Sequence, residues 1–141
     1  MNGIKKFKLV GLDSNIFIYL FEKNPEFIKI CQVIVDLLEK DQIQSVTSVV
    51  SIIETLSFPS PLKVLKGIET GFKSMPNLTI IDVDQGIAIE AAKLRRKYGF
   101  RTPDAIQLAT AKLNRAKAFV TNDERLKAYQ GLKVIALADI K

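Results

Sequence analysis

The 141-residue sequence contains no histidine. That absence excludes His-based acid–base catalysis, Ser-His-Asp and Cys-His nucleophiles, and any His-ligated zinc site. It equally excludes metal-free ribonuclease mechanisms that depend on an imidazole. Cysteine is nearly absent: Cys31 stands alone, so no intrachain disulfide forms and nothing argues for secretion. Cys31 lies in an apolar helical pattern and reads as a small core residue. Long hydrophobic runs are missing too. Lys5, Lys6 and Lys8 precede an apolar run that stops at Asp13, too short for a signal peptide. No stretch reaches the length needed to span a membrane, and the expected location is the cytoplasm. Neither a GxxxxGK[ST] phosphate loop nor a GxGxxG fingerprint is present. Any chemistry therefore rests on carboxylates, hydroxyls, amides and basic side chains.

What is present is a globular composition with a basic excess. Apolar residues make up 48% and the formal net charge is +6. The first figure excludes a disordered chain. The second suits a polyanionic partner, most simply nucleic acid. With no repeat, low-complexity tract or linker, residues 1–141 read as a single domain.

The pattern along the chain alternates. Phe7–Leu12 is a short apolar run that reads as a buried strand. Ser14 and Asn15 can cap a short helix from Ile16 to Phe21. After Asn24-Pro25, the positions Phe27, Ile30, Cys31, Ile34, Leu37 and Leu38 recur at helical spacing. Gln44–Thr47 is a second strand, and Ser48 can cap a helix through Leu56 that carries Glu54. The prolines of Phe58–Pro61 place a loop there. Leu62, Leu65, Ile68 and Phe72 mark another helix, and Leu78–Val83 a third strand. The helix from Ile87 runs into the basic stretch Lys93–Lys97 and stops near Gly99. Thr102 reads as the cap and Pro103 as the first residue of a helix through Ala111 that is apolar on most of its surface, hence buried. Ala118–Val120 is a fourth strand, Arg125–Tyr129 a last short helix, and Lys133–Leu137 a fifth strand. Strands alternating with helices predict a parallel sheet covered by helices on both faces.

In such a fold, ligands bind beyond the carboxyl ends of the strands. Asp13 follows the first strand, Glu54 lies early in the helix after the second, and Asp123 follows the fourth. Asp104 opens the helix that leads into the fourth strand, where the positive end of the helix dipole favours a carboxylate. All four can share one rim. Each also has a purely structural reading. Asp13 can cap a turn, and Asp104 and Asp123 can serve as first-turn acids. Glu54 can complete a capping box with Ser51, and Glu124 one with Thr121. As a group they are harder to explain that way. Two like charges ~4 Å apart repel by about 4 kcal/mol at an effective dielectric of ~20. Such a cluster holds protons or a cation. Oxygen ligands without His or Cys point to a hard cation, Mg²⁺ or Mn²⁺.

These residues resemble a known family. Leu12-Asp13-Ser14-Asn15-Ile16-Phe17-Ile18-Tyr19, the helix bearing Glu54, Thr102-Pro103-Asp104-Ala105-Ile106-Gln107-Leu108-Ala109-Thr110-Ala111 and Val120-Thr121-Asn122-Asp123 look like the four motifs of PIN domains, with the nearest look to VapC-type toxins of toxin–antitoxin pairs. The first, third and fourth motifs are specific in combination; the Glu54 motif is weak alone. The resemblance implies a three-layer α/β/α sandwich with a mostly parallel, five-stranded sheet. It implies a Mg²⁺- or Mn²⁺-dependent endoribonuclease in which Asp13, Glu54, Asp104 and Asp123 form the catalytic and metal-holding quartet, supported by Asn15 and Thr121. It further implies an RNA substrate, a cognate antitoxin that blocks the site, and a homodimer. Ser14 departs from the more common Thr of the first motif, and Phe58–Pro76 matches no signature. Arg95, Arg96, Lys97, Arg101, Lys112 and Arg115, with Lys93 and Lys117, are the candidate RNA-binding surface; their alternative reading is a solvated helix face.

Two further readings remain at this point. One is a catalytically silent PIN module that binds RNA or a protein. The other is an aspartate phosphotransfer protein, a receiver or a haloacid-dehalogenase-type phosphatase. The second kind needs another acid two residues after Asp13, where Asn15 stands. A receiver needs acids near its first strand, where Lys5, Lys6 and Lys8 stand.

Overall fold

The structure, a computed structural model, describes residues 3–140. Its centre is a strand read correctly from its apolar run, Leu9–Leu12 (β1). Around it lie Gln44–Ser48 (β2), Leu78–Ile81 (β3), Ala118–Thr121 (β4) and Lys133–Ala136 (β5). The strands pair in the order β3-β2-β1-β4-β5, and every pairing is parallel. Parallel pairing demands crossovers. The helices Ser14–Phe21 (α1), Ile28–Glu39 (α2), Val50–Leu56 (α3), Leu62–Ser74 (α4), Gln85–Tyr98 (α5) and Thr102–Leu113 (α6) provide three of them, and the 3₁₀ turn Glu124–Ala128 lies in the fourth, between β4 and β5.

Alternation along the strands divides the interior in two. Val10, Leu12, Ala118 and Val120 face one way and pack with Ile16 and Phe17 of α1, Cys31, Ile34 and Leu38 of α2, and Phe72 of α4. Val46 and Phe119 face the other way and pack with Ile87, Ala91 and Leu94 of α5 and Ala105, Leu108 and Ala109 of α6. The result is the expected α/β/α sandwich. Gly11 lets α6 settle on the sheet: a Cβ there would lie 2.6 Å from the Ala111 Cβ and 2.9 Å from the Phe119 ring. Gly99 ends α5 with a left-handed φ of 72°, which only glycine adopts cheaply.

Several boundaries differ from the sequence reading. Thr102 is the first residue of α6 and Pro103 the second, while Arg101, extended at ψ 155°, takes the cap position without a side-chain hydrogen bond. α1 starts at Ser14 because the Asp13 carboxylate caps it. Phe7 and Lys8 precede β1, and Leu137 leaves β5 for a 3₁₀ turn, Leu137–Asp139. The last short helix is a 3₁₀ turn, Glu124–Ala128.

Candidate active site

Four elements end at one rim of the sheet, and each delivers an acid. Asp13 stands where β1 gives way to α1 and is only 5% exposed. One oxygen accepts a hydrogen bond from the Ser14 N–H at 2.8 Å, the other from the Thr121 hydroxyl at 2.7 Å. Burial pushes the Asp13 carboxyl up to about 7. The two hydrogen bonds pull against that rise, and the charges of Asp104 and Glu54 add to it.

Asp104 is the third residue of α6, buried, with one oxygen 3.2 Å from the Arg101 Nε. Glu54 projects half-buried from α3 and takes part in no ion pair among the described residues. The capping box proposed for it with Ser51 does not form, because both residues lie inside α3. Asp123 caps the 3₁₀ turn after β4, and Arg125 engages both its oxygens. The Arg125 guanidinium holds the Asp123 carboxyl below the usual carboxylate range. Glu124 pairs with Lys127 at 3.0 Å rather than serving Thr121.

Asp13, Glu54, Asp104 and Asp123 line one cleft of about 170 Å³, together with Ser14, Asn15, Ile18 and Arg101. Larger hollows of about 470 and 580 Å³ lie elsewhere, and neither contains a member of this quartet. Size does not mark the site; the concentration of carboxylates does. Asn15 and Thr121 join its two halves. The Thr121 hydroxyl donates to Asp13 and accepts from the Asp123 N–H at 3.0 Å and, at 3.4 Å, from the Asn15 amide. The Asn15 carbonyl oxygen in turn accepts from the Asn122 N–H at 3.3 Å.

Beneath the cleft lies a buried network that the sequence reading missed. The Gln107 amide donates to the hydroxyls of Ser14 at 3.0 Å and Ser51 at 2.8 Å, and its carbonyl accepts from the Ser48 N–H at 3.3 Å. Thr47 adds a 2.6 Å contact to Ser51 and donates to the Leu12 carbonyl at 2.8 Å. Gln107 is one turn from Asp104, Ser51 one turn from Glu54, and Ser14 adjoins Asp13. The network therefore ties together the three elements that carry those acids. The available signal was a polar stripe at three-residue spacing, Asp104, Gln107 and Thr110, on a helix whose other buried residues are apolar.

Oxygen-only donors fit a hard divalent cation. The four acids line one cleft, but among the described residues no group of three or more Asp, Glu or Cys is arranged to hold one ion. Asp104 and Asp123 instead face Arg101 and Arg125.

The candidate RNA-binding residues separate. Arg101 lines the cleft. Arg95 and Arg96 border a groove between α5 and α6, where the Arg95 Nε bonds the Phe100 carbonyl at 3.2 Å. Lys97 lies over the Tyr98 ring, 5.4 Å from its centre. Lys112 bonds the Gly131 carbonyl at 3.0 Å and shares a separate hollow with Arg115, Lys117 and Lys133. The Lys117 N–H pairs with the Leu9 carbonyl, which puts this group at the opposite end of the strands from Asp13. Lys112 and Asp104 are eight residues apart on one helix, ~12 Å along its axis. The basic residues thus form no single surface around the cleft.

Comparison with known proteins gives a family and a fold. The PIN domain family model matches residues 10–132. Among solved structures, a toxin–antitoxin complex from Klebsiella pneumoniae has a chain 25% identical, with a TM-score of 0.71, covering 91% of this chain and 97% of that one. A chain of VapBC2 from Rickettsia felis, bound to a DNA fragment from its promoter, is 20% identical with a TM-score of 0.72 over 91% and 98%. A chain of DNA-bound VapBC from Salmonella typhimurium is 17% identical with a TM-score of 0.69 over 91% and 97%. The last two likenesses speak to fold alone. No curated protein gives a significant match.

Proposed function

The chain belongs to the PIN domain family, and from that premise we propose that it is a Mg²⁺- or Mn²⁺-dependent endoribonuclease, the VapC-type toxin of a toxin–antitoxin pair. One observation carries the reading: Asp13, Glu54, Asp104 and Asp123, drawn from four different elements, line the same small cleft. A carboxylate as buried as Asp13, with other acids beside it, is costly to ionise without a cation.

Asp13, Glu54 and Asp104 are the residues to hold the ion, with Asp123 orienting the attacking water or holding a second ion. When bound, such an ion supplies a counter-charge for the attacked phosphate and a lower pKa for the attacking water. The chain's own part is to fix the donors. Thr121 and Asn15 lock Asp13 to the segment after β4, and Gln107 locks α1, α3 and α6 together. Arg101, which lines the cleft, is the residue proposed to meet a phosphodiester.

The antitoxin partner is proposed on the likeness to the Klebsiella pneumoniae toxin–antitoxin complex. Beside Glu54, the apolar side chains of Ile53, Phe58, Leu62 and Val64 are exposed, with Leu62 at 78%. Exposed apolar side chains of that kind suit a protein partner, whether an antitoxin or a second copy in a homodimer. Among the described residues no helix is long and apolar enough to cross a membrane, and the cytoplasm is the proposed location.

The test is incubation of purified protein with a mixed pool of structured RNAs in Mg²⁺, in Mn²⁺ and in chelator, beside Asp13→Asn. Cleavage that requires both metal and Asp13 is the expected result. Metal-independent RNA retention without cleavage, by folded protein, would identify the silent binding module. The pairing of Asp104 and Asp123 with arginines is the observation that favours that second reading.

A further inference from the structure

Two of the four acids already have a cation, and it comes from the chain itself. Arg125 lies two residues beyond Asp123 and takes both carboxylate oxygens, with Nε at 3.0 and 3.2 Å and Nη2 at 2.6 Å, while its backbone N–H adds a bond at 3.0 Å. Arg101 precedes Asp104 by one turn and holds one of its oxygens at 3.2 Å. These arginine side chains are 66% and 69% exposed, so neither is buried in its present position. Pairs with so exposed an arginine change an equilibrium by a factor of roughly 5.

We propose that Arg101 and Arg125 are exchangeable counter-ions of the cleft. They pair with Asp104 and Asp123 when no metal is bound, and they turn to the RNA phosphates when a divalent cation takes the carboxylates. The inference rests on the nuclease reading of the same cleft. It follows from charge and geometry. A divalent cation offers each carboxylate twice the charge of a guanidinium. The displaced guanidinium stays tethered within one turn of the site, where a phosphodiester is the next anion it meets. The planar fork of arginine matches phosphate as well as carboxylate. Because both ligands release the same clamps, metal and RNA assist one another, reciprocally.

The proposal makes two effects of opposite sign. In Arg101→Gln/Arg125→Gln, Mn²⁺ binding, followed by the electron paramagnetic resonance signal of free Mn²⁺, is expected to tighten by roughly 2- to 10-fold. Binding of a labelled single-stranded RNA, read by fluorescence anisotropy with Ca²⁺ as the ion, is expected to weaken. Its log–log salt slope should fall by about 0.7 for each lost phosphate contact. Arg→Lys at both positions keeps the charge without the fork, and should restore part of the RNA affinity and part of the competition with Mn²⁺. Weaker or unchanged Mn²⁺ binding in the glutamine variant, with melting unchanged, overturns the exchange and leaves the arginines as plain RNA contacts or structural props. Unchanged RNA binding overturns it from the other side. The parent reading fails separately: if the unaltered protein binds no Mn²⁺ in a manner that Asp13→Asn abolishes, the nuclease site falls and the exchange falls with it.

Discussion

Asp13 should make the metal-free protein less stable as pH rises. Its carboxyl moves from 3.8 to about 7 on folding, chiefly because burial penalises the charged form. The folded state therefore binds a proton more tightly than the unfolded state does. That contribution is fully present below pH 3.8 and is lost as pH rises through about 7. Each pH unit is worth about 1.4 kcal/mol, so the full swing is on the order of 4 kcal/mol. About 3 kcal/mol of that swing falls between pH 5 and pH 8, which for a domain of this size corresponds to roughly 10 °C in melting temperature. The assay is thermal melting in chelator from pH 5 to pH 8, comparing the unaltered chain with Asp13→Asn. The amide can still accept from the Ser14 N–H, and it carries no charge to desolvate. The variant should therefore melt at a nearly constant temperature across this range and exceed the parent at pH 8. Adding Mg²⁺ at pH 8 should recover the parent and leave the variant unmoved. Parallel pH profiles for the two proteins would refute the argument, because the pH dependence would then arise elsewhere.

Gln107→Leu keeps the bulk but takes the carbonyl partner from the Ser48 N–H and leaves the Ser14 and Ser51 hydroxyls only each other and Thr47. A loss of about 2–3 kcal/mol by urea denaturation is expected, and a loss under ~0.5 kcal/mol would show that the network relaxes. Gly11→Ala places a methyl 2.6 Å from the Ala111 Cβ. α6 must then shift, at a cost of about 1–3 kcal/mol by the same measurement, and metal-dependent cleavage should fall with it because Asp104 rides on α6. Asp104→Asn should abolish that cleavage in a protein that still folds; undiminished cleavage would remove Asp104 from the site. Ile53→Lys with Leu62→Lys replaces two exposed side chains. It should leave melting within about 0.5 kcal/mol of the parent while breaking association with an antitoxin or a second copy, read by light scattering.

Much of this protein was legible without coordinates. α6 announced itself by Pro103 at its start, an acid in its first turn and apolar residues around most of its surface, and it is buried as that pattern requires. The five strands and the stop at Gly99 follow from signals a few residues long. So does the positioning of Asp13, Asp104 and Asp123 at element ends, because parallel strands bring all their carboxyl ends to one rim. Side-chain partners were not legible. Gln107 meets Ser14 across 93 residues and Ser51 across 56, and no local pattern encodes such a meeting. Arg125 is near Asp123 in sequence, yet whether it would clasp that carboxylate or face solvent depended on the turn after β4. Lys112 and Arg115 looked continuous with the basic run before α6, but the length of that helix carries them away from the cleft. Periodicity, capping and the helix dipole act over one or two turns, so the sequence by itself determines the elements and their polarity. The partners of buried polar groups and the direction of flexible charged side chains are set by contacts between distant segments, and only the assembled sheet and helices decide those.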